Sequence, residues 1–223
     1  MIYDKLFDWQ KRIVDNNYNR KSYGLFLDMG LGKTPISLSF AEKNNCNKII
    51  VLTLKKKAIE TEDVKGSWFD WSNNYKLPLN KYNVKSIKKL NSEEENQIIV
   101  LNYQAIFSAR TENYARKKPK KVVDLKPEIK KIFEHAGHDN VAIILDESHM
   151  IKNVSASRSK AVKLLYNLAN RMCNKTYLYL LTGTPFTVGF IDLHNQLSML
   201  GCEMTKTEFK ERFCIMGNKP SLK

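Results

Sequence analysis

GLFLDMGLGKT, residues Gly24 to Thr34, is the stretch on which the fold turns. It continues an aliphatic run from Tyr23 to Leu27 that reads as a short buried strand. The run breaks at Gly30-Leu31-Gly32 and gives way to a helical pattern from Lys33 through Asn44. Strand, glycine turn and helix in that order make a cradle for phosphate. Glycines let consecutive backbone N–H groups converge on an anion with no Cβ in the way. The helix start adds unpaired donors and a positive dipole end. In such a loop Lys33 reaches the β- and γ-phosphates of a nucleotide, and the Thr34 hydroxyl ligates Mg²⁺. Pro35 fits too, because a proline in the first helical turn gives up an N–H that has no partner. One position departs from the pattern. G-x-x-x-x-G-K-S/T wants a glycine five residues before Gly32, where this chain has Leu27.

Glycine followed by Lys-Thr is common, and a plain strand–turn–helix junction explains it equally well. A second stretch decides between them. Val141 to Leu145, VAIIL, reads as an apolar strand ending in Asp146-Glu147-Ser148-His149. Carboxylates at the carboxyl end of a parallel strand stand where α/β sheets bind ligands. Paired acids there divide the labour: Asp146 holds Mg²⁺ together with Thr34, and Glu147 polarises the attacking water.

The 223 residues suit one domain with a substantial core. Hydrophobic residues make up 43%, and no apolar run approaches the ~20 residues of a membrane span. The opening Met-Ile-Tyr-Asp-Lys is neither a signal peptide nor a lipidation motif, so a soluble, cytoplasmic protein is expected. Cys46, Cys173, Cys202 and Cys214 show no C-x-x-C pairing and read as reduced thiols. His135, His138 and Asp139 lack a second ligand pair and read as a loop rather than a metal site. A net charge of +14 points to a polyanionic partner, although an AT-rich genome also favours lysine and asparagine.

Elsewhere, Leu6, Trp9, Ile13 and Val14 mark an opening helix. Gln10 stands where the chain can wrap back over an adenine, since one amide both donates and accepts. Lys48–Thr53 and Gln97–Asn102 predict buried strands, Tyr82–Leu90 a weaker one, and Tyr177–Leu181 another. Trp68, Phe69 and Trp71 predict a helix with core or rim aromatics, and Tyr103–Ile106 the entry to another helix. The span Arg110 to Lys121 reads as non-globular, with Arg116–Lys121 either a solvated loop or a phosphate contact. Pro127–His135 predicts a helix, and Met150–Leu168 a helix or a turn plus helix. A stripe at Leu193, Leu197 and Leu200, a short helix holding Phe209 and Phe213, and a frayed tail over Met216–Lys223 complete the chain.

In order, LFDWQ, DMGLGKT, KIIVLT, IIVLNYQAI, ILDESHMIKN and LLTGTP resemble the first motor lobe of superfamily-two helicases and translocases. The Swi/Snf-type branch, including short phage or bacterial relatives, is the nearest in pattern. The resemblance implies a three-layer α/β, RecA-like P-loop domain with a mostly parallel sheet of six or seven strands. It implies ATP and Mg²⁺ as cofactors, cradled by Met29, Gly30, Leu31, Gly32, Lys33, Thr34 and Pro35, with Gln10 reading adenine. Asp146 and Glu147 become metal holder and hydrolytic acid, while His149, Thr182 and Thr184 couple nucleotide state to the track. Where relatives often carry Gln-Asn after the proline, this chain has Phe186-Thr187-Val188, and no role follows for that loop.

The lobe is expected to span residues 1–204, with 205–223 a terminal helix and tail leading toward a second RecA-like lobe absent from this sequence. That second lobe would supply an arginine to the γ-phosphate, so hydrolysis by this chain alone is expected to be weak. The expected track is nucleic acid, duplex DNA first, with single strands and RNA still open. Two other functions remain in play. A small-molecule P-loop kinase would show a mobile acceptor lid in place of the TGTP strand end. A non-hydrolysing nucleic-acid-binding module would have no need of Lys33, Asp146 and Glu147 together.

Overall fold

The computed structural model describes residues 1–61, 63–73, 80–83, 86–89, 96–114, 117–186 and 189–214. Along the chain come α1 (Asp8–Asn17), β1 (Ser22–Phe26), α2 (Lys33–Lys43), β2 (Lys48–Thr53), α3 (Trp68–Asn73), β3 (Asn80–Asn83) and β4 (Gln97–Asn102). Then follow β5 (Phe107–Tyr114), β6 (Lys117–Leu125), α4 (Pro127–Lys131), β7 (Asn140–Asp146), α5 (Ser157–Met172), β8 (Lys175–Thr182), α6 (Leu193–Met199) and α7 (Lys206–Phe213). Six strands form one sheet in the order β1-β8-β7-β2-β4-β3. Every pairing in it is parallel.

The continuous apolar strands follow from this architecture, because helices cover both faces and period-two alternation sends neighbours to opposite sides. On one side Ile49, Val51, Ile98, Val100, Ala142 and Ile144 pack with Val14 of α1, Ile36 and Phe40 of α2, and Trp68 and Phe69 of α3. On the other, Ile50, Leu52, Ile99, Leu101, Ile143 and Leu145 pack with Ile129 of α4 and Ala161, Val162 and Leu165 of α5. Three layers result, as the motif order implied.

At the amino end of the sheet the Lys48 ammonium lies 2.5 Å from the Asp139 carboxylate, with Lys48 almost fully buried. Asp139 therefore balances a buried lysine. Among the described residues no group of three His, Cys, Asp or Glu side chains could hold a metal ion, and no helix is long and apolar enough to cross a membrane. All four cysteines are free.

Four expectations need correction. Tyr103–Ile106 does not enter a helix. The Asn102 carbonyl Oδ1 accepts from the N–H groups of Gln104 (3.0 Å) and Ala105 (2.9 Å), an Asx turn that diverts the chain. Arg110–Lys121 is not an irregular loop but lies largely within the antiparallel hairpin of β5 and β6. A two-stranded ribbon leaves charged side chains free to face solvent, so charge density did not forbid it. Of the expected strand over Tyr82–Leu90, Tyr82 and Asn83 lie in β3 while Ile87–Lys89 make a turn of 3₁₀ helix, and Val84, Lys85 and Leu90 lie outside the described residues. The helix from Pro127 is also shorter than predicted, giving way to turns after Lys131. Arg116, Thr187, Val188 and the Met216–Lys223 tail lie outside the described residues. At the other end, α7 docks through buried Phe209, whose ring meets His194 edge-on at 5.5 Å.

Candidate nucleotide site

The loop after β1 takes its shape from two left-handed glycines, Gly30 (φ 80°) and Gly32 (φ 74°). Gly32 is the N-cap of α2, and a Cβ there would overlap the Gln10 side-chain amide. Only glycine meets both demands. Lys33 folds back over the loop, donating to the carbonyls of Leu27 (2.8 Å) and Asp28 (2.9 Å). The Leu27 carbonyl does this work while its side chain packs against the core, so the position needs no glycine. Burial lowers the Lys33 pKa, against the pull of Glu147 and Asp146.

Across the loop stand the two carboxylates ending β7. Beside it, β2 runs parallel with Leu52 opposite Leu145, so Thr53 falls level with Asp146. Asp146 Oδ2 accepts from the Thr53 hydroxyl (2.7 Å), the Trp68 indole N–H (3.3 Å) and the Lys57 ammonium (3.4 Å). The buried Tyr103 hydroxyl donates to the Asp146 carbonyl at 2.9 Å. Burial, with the charges of Asp146 and Glu147, pushes the Tyr103 pKa well up, keeping the phenol protonated as a donor. Lys57 also lies 3.5 Å from Glu147 Oε1. Burial depresses the Lys57 pKa, but Asp146 and then Glu147 outweigh it, and the net shift is upward.

These groups share a cavity of about 360 Å³ lined by Met29, Gly30, Gly32, Lys33, Thr34, Pro35, Lys57, Gly66, Trp71, Asp146 and Glu147. Gln10 and Leu31 stand beside the cavity rather than in its lining. Gln10 is buried, its Oε1 accepting from the Phe7 N–H (2.9 Å) and its Nε2 donating to the Leu31 carbonyl (3.2 Å). Thr34 and Asp146 offer oxygen donors of the kind Mg²⁺ prefers, and Lys57 already sets a positive charge between the two carboxylates. The donor set fits a cation that completes its shell with phosphate oxygens and water.

Glu147 holds a left-handed backbone at φ 56°, a strained conformation for a residue with a Cβ. The turn brings the carboxylate to His149, whose Nδ1 lies 3.4 Å from Glu147 Oε2 and 3.3 Å from the Thr182 hydroxyl. Thr182 in turn accepts from the Thr184 N–H at 3.1 Å. The three residues expected to couple the site to its surroundings thus form one connected chain starting at Glu147.

Sequence reasoning missed a second brace. Gln196, fully buried on α6, accepts from the Ser148 hydroxyl (2.7 Å) and donates to the Pro185 carbonyl (2.6 Å). It locks the turn after β7 to the turn after β8. Its signal was a polar residue spaced three from Leu193 and four from Leu200, on the face the leucine stripe buries. Lys57, Thr53, Trp68 and Tyr103 were missed as well, since each reaches the site from a different strand, turn or helix.

Residues 4–187 match the protein family described as the type III restriction enzyme res subunit, ResIII. No curated protein sequence matches the chain. The fold is similar to the Sulfolobus solfataricus SWI2/SNF2 ATPase core in complex with dsDNA, at 22% identity and a TM-score of 0.56, over 95% of this chain and 38% of that one. It is similar also to the Pyrococcus furiosus Hef helicase domain, at 16% identity and a TM-score of 0.55, over 90% of this chain and 37% of that one. The chain therefore spans less than two-fifths of either structure. It belongs to the ResIII family, and its fold is the RecA-like one shared with these helicase and ATPase cores.

Proposed function

We propose that the chain binds ATP with Mg²⁺ and works as the N-terminal lobe, residues 1–204 with the following helix docked on it, of a DNA-dependent ATPase that moves along DNA. The observation that carries this reading is the convergence of Lys33, Thr34, Asp146 and Glu147 on one cavity, with Glu147 joined through His149 to Thr182.

The loop N–H groups from Met29 to Thr34 hold phosphate oxygens, and Lys33 exchanges the Leu27 and Asp28 carbonyls for the β- and γ-phosphates. Thr34 and Asp146 would hold the Mg²⁺, whose charge neutralises the phosphates when it is bound. Glu147 accepts a proton from the attacking water. Gln10 retains one N–H and one acceptor lone pair beyond its bonds to Leu31 and Phe7, and these would be the pair that reads an adenine edge. When Glu147 changes partners, His149 transmits the change to the Thr182–Thr184 turn, which Gln196 couples to Ser148.

Among the described residues no arginine lines the cavity. A second RecA-like lobe supplies it, and without one turnover is slow; such an arginine is worth ~10³–10⁵ in rate in comparable NTPases. DNA as the track is supported by the charge of +14 and by the duplex in the SWI2/SNF2 complex. The link from Glu147 to the TGTP strand end favours a motor over a small-molecule kinase. Lys33, Asp146 and Glu147 together argue against a lobe that does not hydrolyse. ATP and DNA meet inside the cell, which is where such a lobe operates.

Fluorescence anisotropy on unrelated duplexes tests the DNA half of this reading. Affinity should be indifferent to sequence, and log affinity should fall linearly with log salt at ~0.9 per phosphate engaged. Binding that ignores salt, or that selects one sequence, would contradict it.

A further inference from the structure

The β5–β6 hairpin adds nothing to the six-stranded sheet. A two-stranded ribbon is marginal on its own, and this one leans on α5. Between them runs a groove of about 380 Å³, with Lys121 on the ribbon wall and Lys160 and Lys163 on the helix wall. Val122, Val123 and Leu164 supply its apolar surface. On α5, Lys160, Lys163, Leu164 and Asn167 follow the i, i+3, i+4, i+7 spacing of a single helix face.

All three lysines are exposed, and among the described residues none has a carboxylate within ion-pair distance. Two acids of the ribbon are engaged elsewhere, Glu112 with Arg110 and Asp124 with Lys130. Like charges one helical turn apart repel, and a third facing them from the ribbon adds to the cost. A polyanion lying in the groove would reverse the sign of all these terms.

We propose that the groove between the β5–β6 hairpin and α5 holds the phosphate backbone of a nucleic-acid strand, an inference that rests on the DNA reading above. It shares no lining residue with the nucleotide cavity and sits on the α5 face of the sheet. Lysines on successive turns match charges repeated along a strand, and the aliphatic surface suits sugar faces. Lysine ammoniums act on phosphate as point charges, so the groove is blind to sequence. An acidic protein segment carries less regular charge and is the less favoured occupant.

The test uses the whole chain with Lys121, Lys160 and Lys163 all changed to alanine. A charge-matched control changes the exposed Lys131, Lys175 and Lys210, which lie on α4, β8 and α7. Anisotropy with a fluorescent duplex and a single strand should show the groove variant binding about tenfold more weakly near 0.1 M salt. Its log–log salt slope should be lower by about two to three, roughly one unit for each phosphate no longer neutralised. The control should change far less, and calorimetry should show Mg-ATP affinity unaltered in both. If the parent chain binds DNA with a steep salt slope and the groove variant matches it, the groove assignment fails while the DNA reading stands. Equal weakening in both variants reduces the effect to net charge and overturns the assignment. Groove-dependent binding of poly-glutamate, with DNA affinity unaltered, gives the site to an acidic protein and overturns it too. No DNA binding by the parent chain removes the assignment and the DNA reading together.

Discussion

Lys57 Nζ lies 3.4 Å from Asp146 Oδ2, and the same ammonium reaches Glu147 Oε1 at 3.5 Å. A side-chain cation thus stands between the two acids that a nucleotide-bound divalent ion would approach. Lys57→Ala should raise the affinity of the nucleotide-free lobe for Mn²⁺, read by the fall of the free-ion paramagnetic resonance signal. Lys57 is partly exposed, so solvent screens the pair, and the gain should be about 1 kcal/mol, roughly fivefold. Because its pKa is raised, the ammonium is fully charged below the usual lysine range and loses its proton only as pH rises through the higher value. The difference between parent and variant should therefore be flat from about pH 6 to 9. Unchanged or weaker Mn²⁺ binding would show that Lys57 does not compete with the metal.

Glu147→Gln and Asp146→Asn should part company. The first removes the acceptor for the water's proton and should abolish hydrolysis while leaving nucleotide affinity nearly intact. The second should weaken the Mg²⁺-dependent share of binding, measured as the difference between titrations with Mg²⁺ and with EDTA. Identical profiles would refute the division of roles.

Gly32→Ala should both destabilise the lobe and damage the loop. The left-handed backbone costs a Cβ-bearing residue ~1–2 kcal/mol, and the new methyl must push aside the Gln10 amide that holds α1 to the loop. Urea denaturation and nucleotide titration should move together. A variant with parental stability would show that Gln10 can yield freely.

Asp139→Ala strands the Lys48 ammonium in the protein interior. Removing one partner of a buried pair costs ~3–5 kcal/mol, so the urea midpoint should fall sharply while nucleotide affinity stays level, since the pair lies at the opposite end of the sheet from the loop. Little change in the midpoint would mean that water reaches Lys48 readily.

How far the sequence spoke depended on how local each signal was. Strands β2, β4 and β7 were legible because burial on both faces demands unbroken aliphatic runs, and such runs are rare elsewhere. That Lys33, Thr34, Asp146 and Glu147 meet at one cavity was legible because each sits at a strand end or a fixed step beyond one. The hairpin was not, because charge hid its backbone pairing and Asn102 ended the preceding segment with a side-chain bond that periodicity does not register. Lys57 and Tyr103 were hidden for another reason. Each gains its role only when strands and turns distant in the chain become neighbours, and no local pattern carries that information.

The claim on which the rest depends is that the Gly30–Thr34 loop binds ATP through Lys33. Calorimetric titration of Mg-ATP into the parent chain and into Lys33→Ala tests it most directly. Removing a charge-assisted bond to phosphate should weaken binding by ~1.5–3 kcal/mol, which is roughly ten- to a hundredfold. Equal affinity in the two proteins, or no binding by the parent, would contradict the account.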